Sequence, residues 1–339
     1  MTAPRHPTPP SGVLGGGLLK VDDYADFLAH EYLHGYLPSG GAAVKVAVVG
    51  DTGAADRFAT AVAAAAASNR CVHVSLSAEE TKLHMVDQLF FAVARQVDWD
   101  DLAAASVRTA YADCAFPAPS EIGLAVNDVA QHYDVDSKEL YRSVRRTLEG
   151  RLLGDTELAS ELRRAMFRLA QAQLGSRDVD RSEHDAVIDW LRGDLRAIAQ
   201  VRPALIYRRI GRHNARSLLA SLARLLLAAG YGGLVLHLDY GRLAETRRPP
   251  VEERTGIYYS KAATLDAYEV LRQLIDATDD LRGVLVIAVV RPEIMTDEGR
   301  GLPAYAALQL RVADEVRDVR RANPYAALVR LEVRLEAVT

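Results

Sequence analysis

Apolar residues in this chain gather into five short runs: VKVAVVG (44–50), CVHVSLS (71–77), GLVLHLD (233–239), GVLVIAVV (283–290) and AALVRLEV (326–333). Most are rich in β-branched residues and nearly continuous instead of alternating. A strand buried on both faces has that pattern, so the runs predict a mostly parallel, five-stranded sheet. Between the runs, apolar positions recur every three or four residues, which predicts helices. DRFATAVAAAAAS follows the first run and AEETKLHMVDQLFFAVARQV the second. KAATLDAYEVLRQLIDATDD precedes the fourth and LPAYAALQLRVADEVRDVRRA the fifth. Strands alternating with helices of this length imply an α/β sandwich with right-handed crossovers.

The spacing is uneven. About 155 residues separate the second and third runs, and they carry helical patterns: SKELYRSVRRTLEGRLL, TELASELRRAMFRLAQAQLG, SEHDAVIDWLRGDL and ARSLLASLARLLLAAG. The chain therefore divides into a flexible tail (1–18), a first part of the α/β core (19–97), a large helical insertion between strands two and three (98–212) and a second part of the core (213–339). The tail assignment follows from the proline and glycine crowding of MTAPRHPTPPSGVLGGGLLK. The last helix before strand three is expected over 214–229.

Composition narrows the function classes. The 339 residues are 49% hydrophobic and 25% charged, as in ordinary globular proteins. No apolar run approaches the ~20 residues of a membrane span, and no signal peptide is apparent. Cys71 and Cys114 are the two cysteines and form no Cys-x-x-Cys pair. A cytoplasmic protein is expected, with Cys71 as plain core. The net charge of -4 provides no global basic field, so nucleic-acid binding would need a local patch.

One stretch carries candidate chemistry. VVGDTGAADRF begins at Val48, between the first strand and an alanine-rich helix, where a phosphate-binding loop of pattern G-x-x-x-x-G-K-S/T would lie. Gly50 takes the first glycine slot, followed by Asp51, Thr52, Gly53 and Ala54. Ala55 then stands in the second glycine slot, Asp56 in the lysine slot and Arg57 in the Ser/Thr slot. Alanine adds a methyl group where backbone should meet phosphate. Asp56 sets a negative charge where a cation is needed, and losing one charge-assisted hydrogen bond costs about 1.5–3 kcal/mol. Arg57 cannot ligate Mg²⁺ as a hydroxyl does. Downstream, the third strand ends in Asp239, the position of a metal-linked aspartate. Tyr240 follows it, where a carboxylate would activate water. The fourth strand ends Val290-Arg291-Pro292 instead of in a small polar residue.

EYLHGYLPSGGAAVKVAVVGDTG resembles the start of the P-loop domain in the BREX-system ATP-binding protein BrxD family. AVIDWLRGDLRAI, IGRHNARSLLASLARLLLAAGYGGLVLHLD, YYSKAATLDAYEVLRQLIDATDDLRGVLVIAV and DEGRGLPAYAALQLRVADEV resemble its later landmarks, over roughly residues 22–335. The resemblance implies an ASCE/AAA+-like P-loop NTPase fold in bacterial anti-phage defence. It also implies partners among the other defence proteins: an active ATPase, a helicase or a nuclease. Oligomers are possible. The departures at Ala55-Asp56-Arg57 and Tyr240 imply a pseudo-ATPase whose nucleotide site is vestigial and whose fold is a scaffold, with no cofactor expected. With the chain ending within about ten residues of the fifth strand, no helical lid of the AAA+ kind is expected. The alternatives are a divergent ATPase using ATP/Mg through Gly50, Gly53, Arg57 and Asp239, and a DNA-binding module.

The DNA alternative rests on VRPALIYRRIGRHNAR, whose Arg208, Arg209 and Arg212 can form a phosphate-binding patch, a solvated helix face or inter-helix ion pairs. Arg311, Arg317 and Arg320 on the last long helix are candidates to reach a neighbouring subunit. RRPPVEER (247–254) reads as an exposed loop after strand three, where a nucleotide or partner would be faced. His30 and His34 in HEYLH match a zinc-protease pattern in form, but the third ligand is missing and an amphipathic helix is expected, with no metal. Ser260 is expected to cap the helix beginning at Lys261, and Trp190 to pack in the core.

Overall fold

The computed structural model describes residues 18–176, 179–246, 248–313 and 322–332. In chain order its elements are β1 (Leu18–Lys20), α1 (Val21–Leu28, continued as a π-helix over Ala29–Tyr36), β2 (Ala42–Val49), α2 (Thr52–Ser68), β3 (Cys71–Ser77) and α3 (Val86–Gln96). Next come α4 (Trp99–Asp113), α5 (Val126–Tyr133), α6 (Ser137–Leu148, with a π-helical turn Glu149–Leu153), α7 (Ser160–Gln173) and α8 (Arg181–Arg192). The chain returns through α9 (Ala215–Ala228), β4 (Gly233–Asp239), α10 (Lys261–Asp276), β5 (Val284–Val290), α11 (Glu293–Thr296), α12 (Ala306–Val312) and β6 (Leu328–Glu332).

Among the described residues the sheet has six parallel strands in the order β1-β6-β2-β5-β4-β3. The central strand β5 is buried at every position. Its residues alternate between two cores, as the two-residue period of a strand requires. Leu285, Ile287 and Val289 face α1 and α2, whose Tyr24, Leu28, Phe58 and Val62 close that side. Val284, Val286, Ala288 and Val290 belong to the other core, with α3, α9, α10 and the helices α4 to α8. Each large apolar side chain so buried contributes about 1.5–3 kcal/mol.

The sheet differs from expectation in having six strands, all parallel, instead of five. β1 has three residues, too few for a period, and forms by pairing Leu18, Leu19 and Lys20 with Arg330, Leu331 and Glu332 at the sheet edge. Leu18 therefore belongs to the sheet and not to the tail; residues 1–17 lie outside the described residues. The helix expected from residue 78 begins only at Val86. Residues 78–85 form turns, held by the Tyr259 hydroxyl, which donates to Thr81 O at 2.7 Å and accepts from Leu83 N at 3.1 Å. The last helix is interrupted where it is described: Leu302–Ala304 form a 3₁₀ turn that carries Pro303, and α12 runs over Ala306–Val312, while residues 314–321 of the expected helix lie outside the described residues. No described helix is long and apolar enough to cross a membrane.

Candidate functional site

The C-terminal ends of β2, β5 and β4 lie side by side. Val48 pairs with Val290, and Val289 with Asp239. In open parallel sheets ligands bind at this edge, and the residues singled out at 50–57 and 239 are brought together here.

The connection from β2 to α2 is only two residues long, Gly50 and Asp51. Thr52, Gly53, Ala54, Ala55, Asp56 and Arg57 are already helical. Asp51 is the N-cap: its Oδ1 accepts from Ala54 N at 2.8 Å, and its carbonyl accepts from Ala55 N at 3.1 Å. The helix end, where backbone N–H groups and the dipole favour an anion, thus holds the chain's own carboxylate. Gly50 has open space at its Cβ position, and Gly53 lies against the Asp51 carboxylate. Ala54 is buried under the helix, and Ala55 is half-buried against the same core.

Arg57 turns to α1. Its Nε donates to Asp22 Oδ1 at 3.1 Å, and its Nη2 binds the other oxygen of the same carboxylate. Both side chains are about half exposed. Asp56 is exposed, one helical turn from the cap.

Asp239 ends β4, half-buried, and accepts from Gly241 N at 2.7 Å. Burial raises its carboxyl pKa above the usual range. The Gly241 N–H and the Arg291 charge act against that shift, while Asp56 and Glu79 reinforce it. Gly241 is needed for close approach: a Cβ there would stand 2.9 Å from Asp239 Oδ1 and 3.2 Å from Arg291 Nε. Asp56, Glu79 and Asp239 make this edge acidic, with Arg291 from the end of β5 beside them. Among the described residues no three His, Cys, Asp or Glu side chains are placed to hold a metal, His30 and His34 included.

Tyr240 points away from this edge. It is fully buried, and its hydroxyl has no hydrogen-bond partner among the described residues. Burial raises its pKa. Arg242 holds the loop after β4 on itself, stacking on Tyr258 at 3.9 Å and donating to Ile257 O at 3.0 Å and Glu245 Oε1 at 2.9 Å, and it approaches Glu79 in the turn after β3 at 4.0 Å. Ile257 N in turn donates to Glu79 O at 2.7 Å. Residues 248–254 are mostly exposed, as expected for this loop, while Arg247 lies outside the described residues. Asp22, Glu79 and Arg242 were not singled out from sequence. Asp22 is 35 residues from Arg57, and no local pattern links them.

The remaining candidates lie elsewhere. Arg208, Arg209 and Arg212 are on turns between residues 202 and 214, not on a helix: Pro203 and Gly211 interrupt any helical run. Arg209 donates to Leu195 O at 3.2 Å and Arg196 O at 2.6 Å, and Arg212 is 4.0 Å from Asp87. Arg311, in the last turn of α12, pairs with Asp276 at 3.0 Å, which leaves it engaged within the chain. Arg317 and Arg320 lie outside the described residues. Ser260 caps α10 by accepting from Ala263 N at 3.2 Å, and Trp190 is buried with Nε1 donating to Arg208 O at 2.9 Å. Cys71 is buried, with its thiol pushed up to about 11 by burial.

The family model described as BREX system ATP-binding protein BrxC/D matches residues 34–337. The match takes in the β2–α2 turn and Asp239, and leaves out Asp22 on α1. No curated protein and no solved structure matches the chain.

Proposed function

The chain belongs to the BREX system ATP-binding protein BrxC/D family, and from that premise we propose that it is a catalytically degenerate P-loop subunit of this defence system. The family supports a role in the system with its other components as partners. The strand order supports a P-loop NTPase fold of the ASCE/AAA+ kind, because β5 stands between β2, which leads into the loop, and β4, which carries the acid. The observation that carries the pseudo-ATPase reading is the β2–α2 turn. A working P-loop presents free backbone N–H groups and a lysine to the β- and γ-phosphates. Here Asp51 fills the helix end, Asp56 stands in the lysine slot and Arg57 is drawn to Asp22. An ATP tail entering this edge meets Asp51, Asp56, Glu79 and Asp239. The position that would activate water holds a buried phenol. The fold then serves as a docking body for an active ATPase, helicase or nuclease of the same system.

The test is isothermal titration with ATP and a slowly hydrolysed analogue, with and without Mg²⁺. No binding is expected up to about millimolar nucleotide, a free energy near -4 kcal/mol. Micromolar binding would overturn the reading and make the chain a divergent ATPase.

A further inference from the structure

The stretch from Arg192 to Arg216 holds seven arginines and one carboxylate, Asp194, in a chain of net charge -4. It lies at the same edge of the sheet as the candidate site. α9 leads from it back to the start of β4, so the first residue of α9 is at the end where the strands finish. Arg212 reaches Asp87 at the first turn of α3, which follows β3.

Its centre is a tight turn. Leu205 N donates to Arg202 O at 2.8 Å and Ile206 N to Val201 O at 3.2 Å. Val201, Ala204 and Ile206 are buried and anchor the turn. Leu205 and Tyr207 point out, at 56% and 60% exposure. Leu205 adopts a left-handed φ of 58°, which a bulky side chain takes only where the surroundings impose it. Three contacts impose it: Arg164 Nη1 on Leu205 O at 3.1 Å, Trp190 Nε1 on Arg208 O, and the Arg209 guanidinium on the carbonyls of Leu195 and Arg196. Arg202 and Arg208 flank the exposed pair, themselves exposed, and their guanidinium groups have no hydrogen bond or ion pair among the described residues.

We propose that this turn binds single-stranded nucleic acid, with Arg202 and Arg208 on phosphates and Tyr207 stacked on a base. Two unpaired guanidinium groups suit any phosphate backbone. A rigid, outward tyrosine between them suits only a strand whose bases are free to stack. In a duplex the bases are already stacked, and Tyr207 would have no role. Folding has already fixed the turn, so a ligand need not order it. The inference does not depend on whether nucleotide binds at the β2–α2 turn.

Fluorescence anisotropy with the full chain tests it, using labelled oligo-dT and oligo-U of about 12 nucleotides, within the site sizes of single-strand binders, and a duplex of equal length. Binding of a single strand that weakens with salt is expected, and the dT and U arms identify DNA or RNA as the source. Tyr207→Ala is expected to weaken binding roughly 5- to 100-fold. Arg202→Glu with Arg208→Glu is expected to weaken it and to lower the slope of log affinity against log salt by about 1.4, two phosphates at about 0.7 each. Arg282→Glu, an exposed arginine preceding β5 at the opposite sheet edge, is the control and leaves binding within about twofold. All four replaced side chains are exposed, and matching thermal melts establish that the variants are folded. No binding at about 50 mM salt, tighter binding to duplex, an unaffected Tyr207→Ala variant, or an equal loss from Arg282→Glu would each overturn the proposal.

Discussion

Replacing Asp51 tests the central feature of the β2–α2 turn. The carboxylate accepts from Ala54 N at 2.8 Å and heads a helix of 17 residues whose buried face is Ala54, Phe58, Val62 and Ala66. Asp51→Ala removes the acceptor, and losing such a cap costs about 0.5–2 kcal/mol. It also removes a negative charge from the positive end of the helix dipole, worth about 0.3–1 kcal/mol at an exposed site. Asp51 is exposed, so the combined loss should be about 1–2 kcal/mol. Asp51→Asn keeps an acceptor and loses only the charge, and should cost about 0.3–1 kcal/mol. Asp51→Ser keeps the cap and should fall near it.

Urea unfolding followed by circular dichroism gives the ranking, provided the slope with denaturant stays constant across the variants. Hydrogen exchange gives a local reading, because the Ala54 amide is protected by the side chain itself. In Asp51→Ala that amide should exchange faster while the amides of β5 keep their protection. An alanine variant within about 0.3 kcal/mol of the original, or alanine and asparagine variants equal in stability, would refute the capping role. With it would go the claim that the helix end is already filled.

Two further outcomes follow from the burial of the neighbouring residues. Tyr240→Phe removes a buried hydroxyl that has no partner, so it should be neutral or stabilise by up to about 1–2 kcal/mol; Tyr240→Glu buries a charge in the same place and should lower the urea midpoint severely. A loss of stability in Tyr240→Phe would mean that the hydroxyl is hydrogen-bonded after all. Asp239 has a carboxyl pKa raised by burial, so the folded chain holds that proton more tightly than the unfolded one. Its contribution to stability is therefore fully present below the unfolded value and is lost as pH rises through the folded pKa. Asp239→Asn should thus be more stable than the original chain at neutral pH, and the gain should disappear as pH falls through the carboxylate range; a variant less stable at neutral pH would show that Arg291 outweighs burial.

How much was legible in the sequence depended on the range of the forces involved. β2, β4 and β5 were legible because burial on both faces leaves a continuous apolar run. β1 was not, because its three residues are held by pairing with β6 and carry no period of their own. α4 was not named from its pattern: much of its buried face is alanine, at Ala103, Ala104 and Ala110, which contrasts weakly with an exposed face. The arginine cluster was visible, but its placement on a helix was wrong, because Pro203 and Gly211 and the contacts from Trp190 and Arg164 set the backbone there. At the candidate site the slots of Gly50 to Arg57 could be counted along the chain. What Arg57 binds could not, since Asp22 is brought to it only by the packing of α1 on α2.

The replaced residues share a physical pattern on the proposed reading. A P-loop that works must hold N–H donors and a cation unsatisfied until phosphate arrives, which costs stability in the empty state. In this chain the Ala54 N–H and the Arg57 cation already have partners within the chain, and the water-activating position is taken out of solvent. Asp51 takes the helix end, Arg57 has Asp22, and Tyr240 fills the core where a carboxylate would have to face water. A fold arranged this way gains nothing from nucleotide, because a ligand stabilises only by binding the native state. ATP should therefore leave the unfolding transition of this chain where it is. The same sheet edge then presents two surfaces of opposite sign to its surroundings: carboxylates over β2 and β4, and exposed arginines about an exposed tyrosine beside α3. Molecules reaching that edge are sorted by charge, with polyanions directed to the arginine turn and away from the loop that a nucleotide would have used.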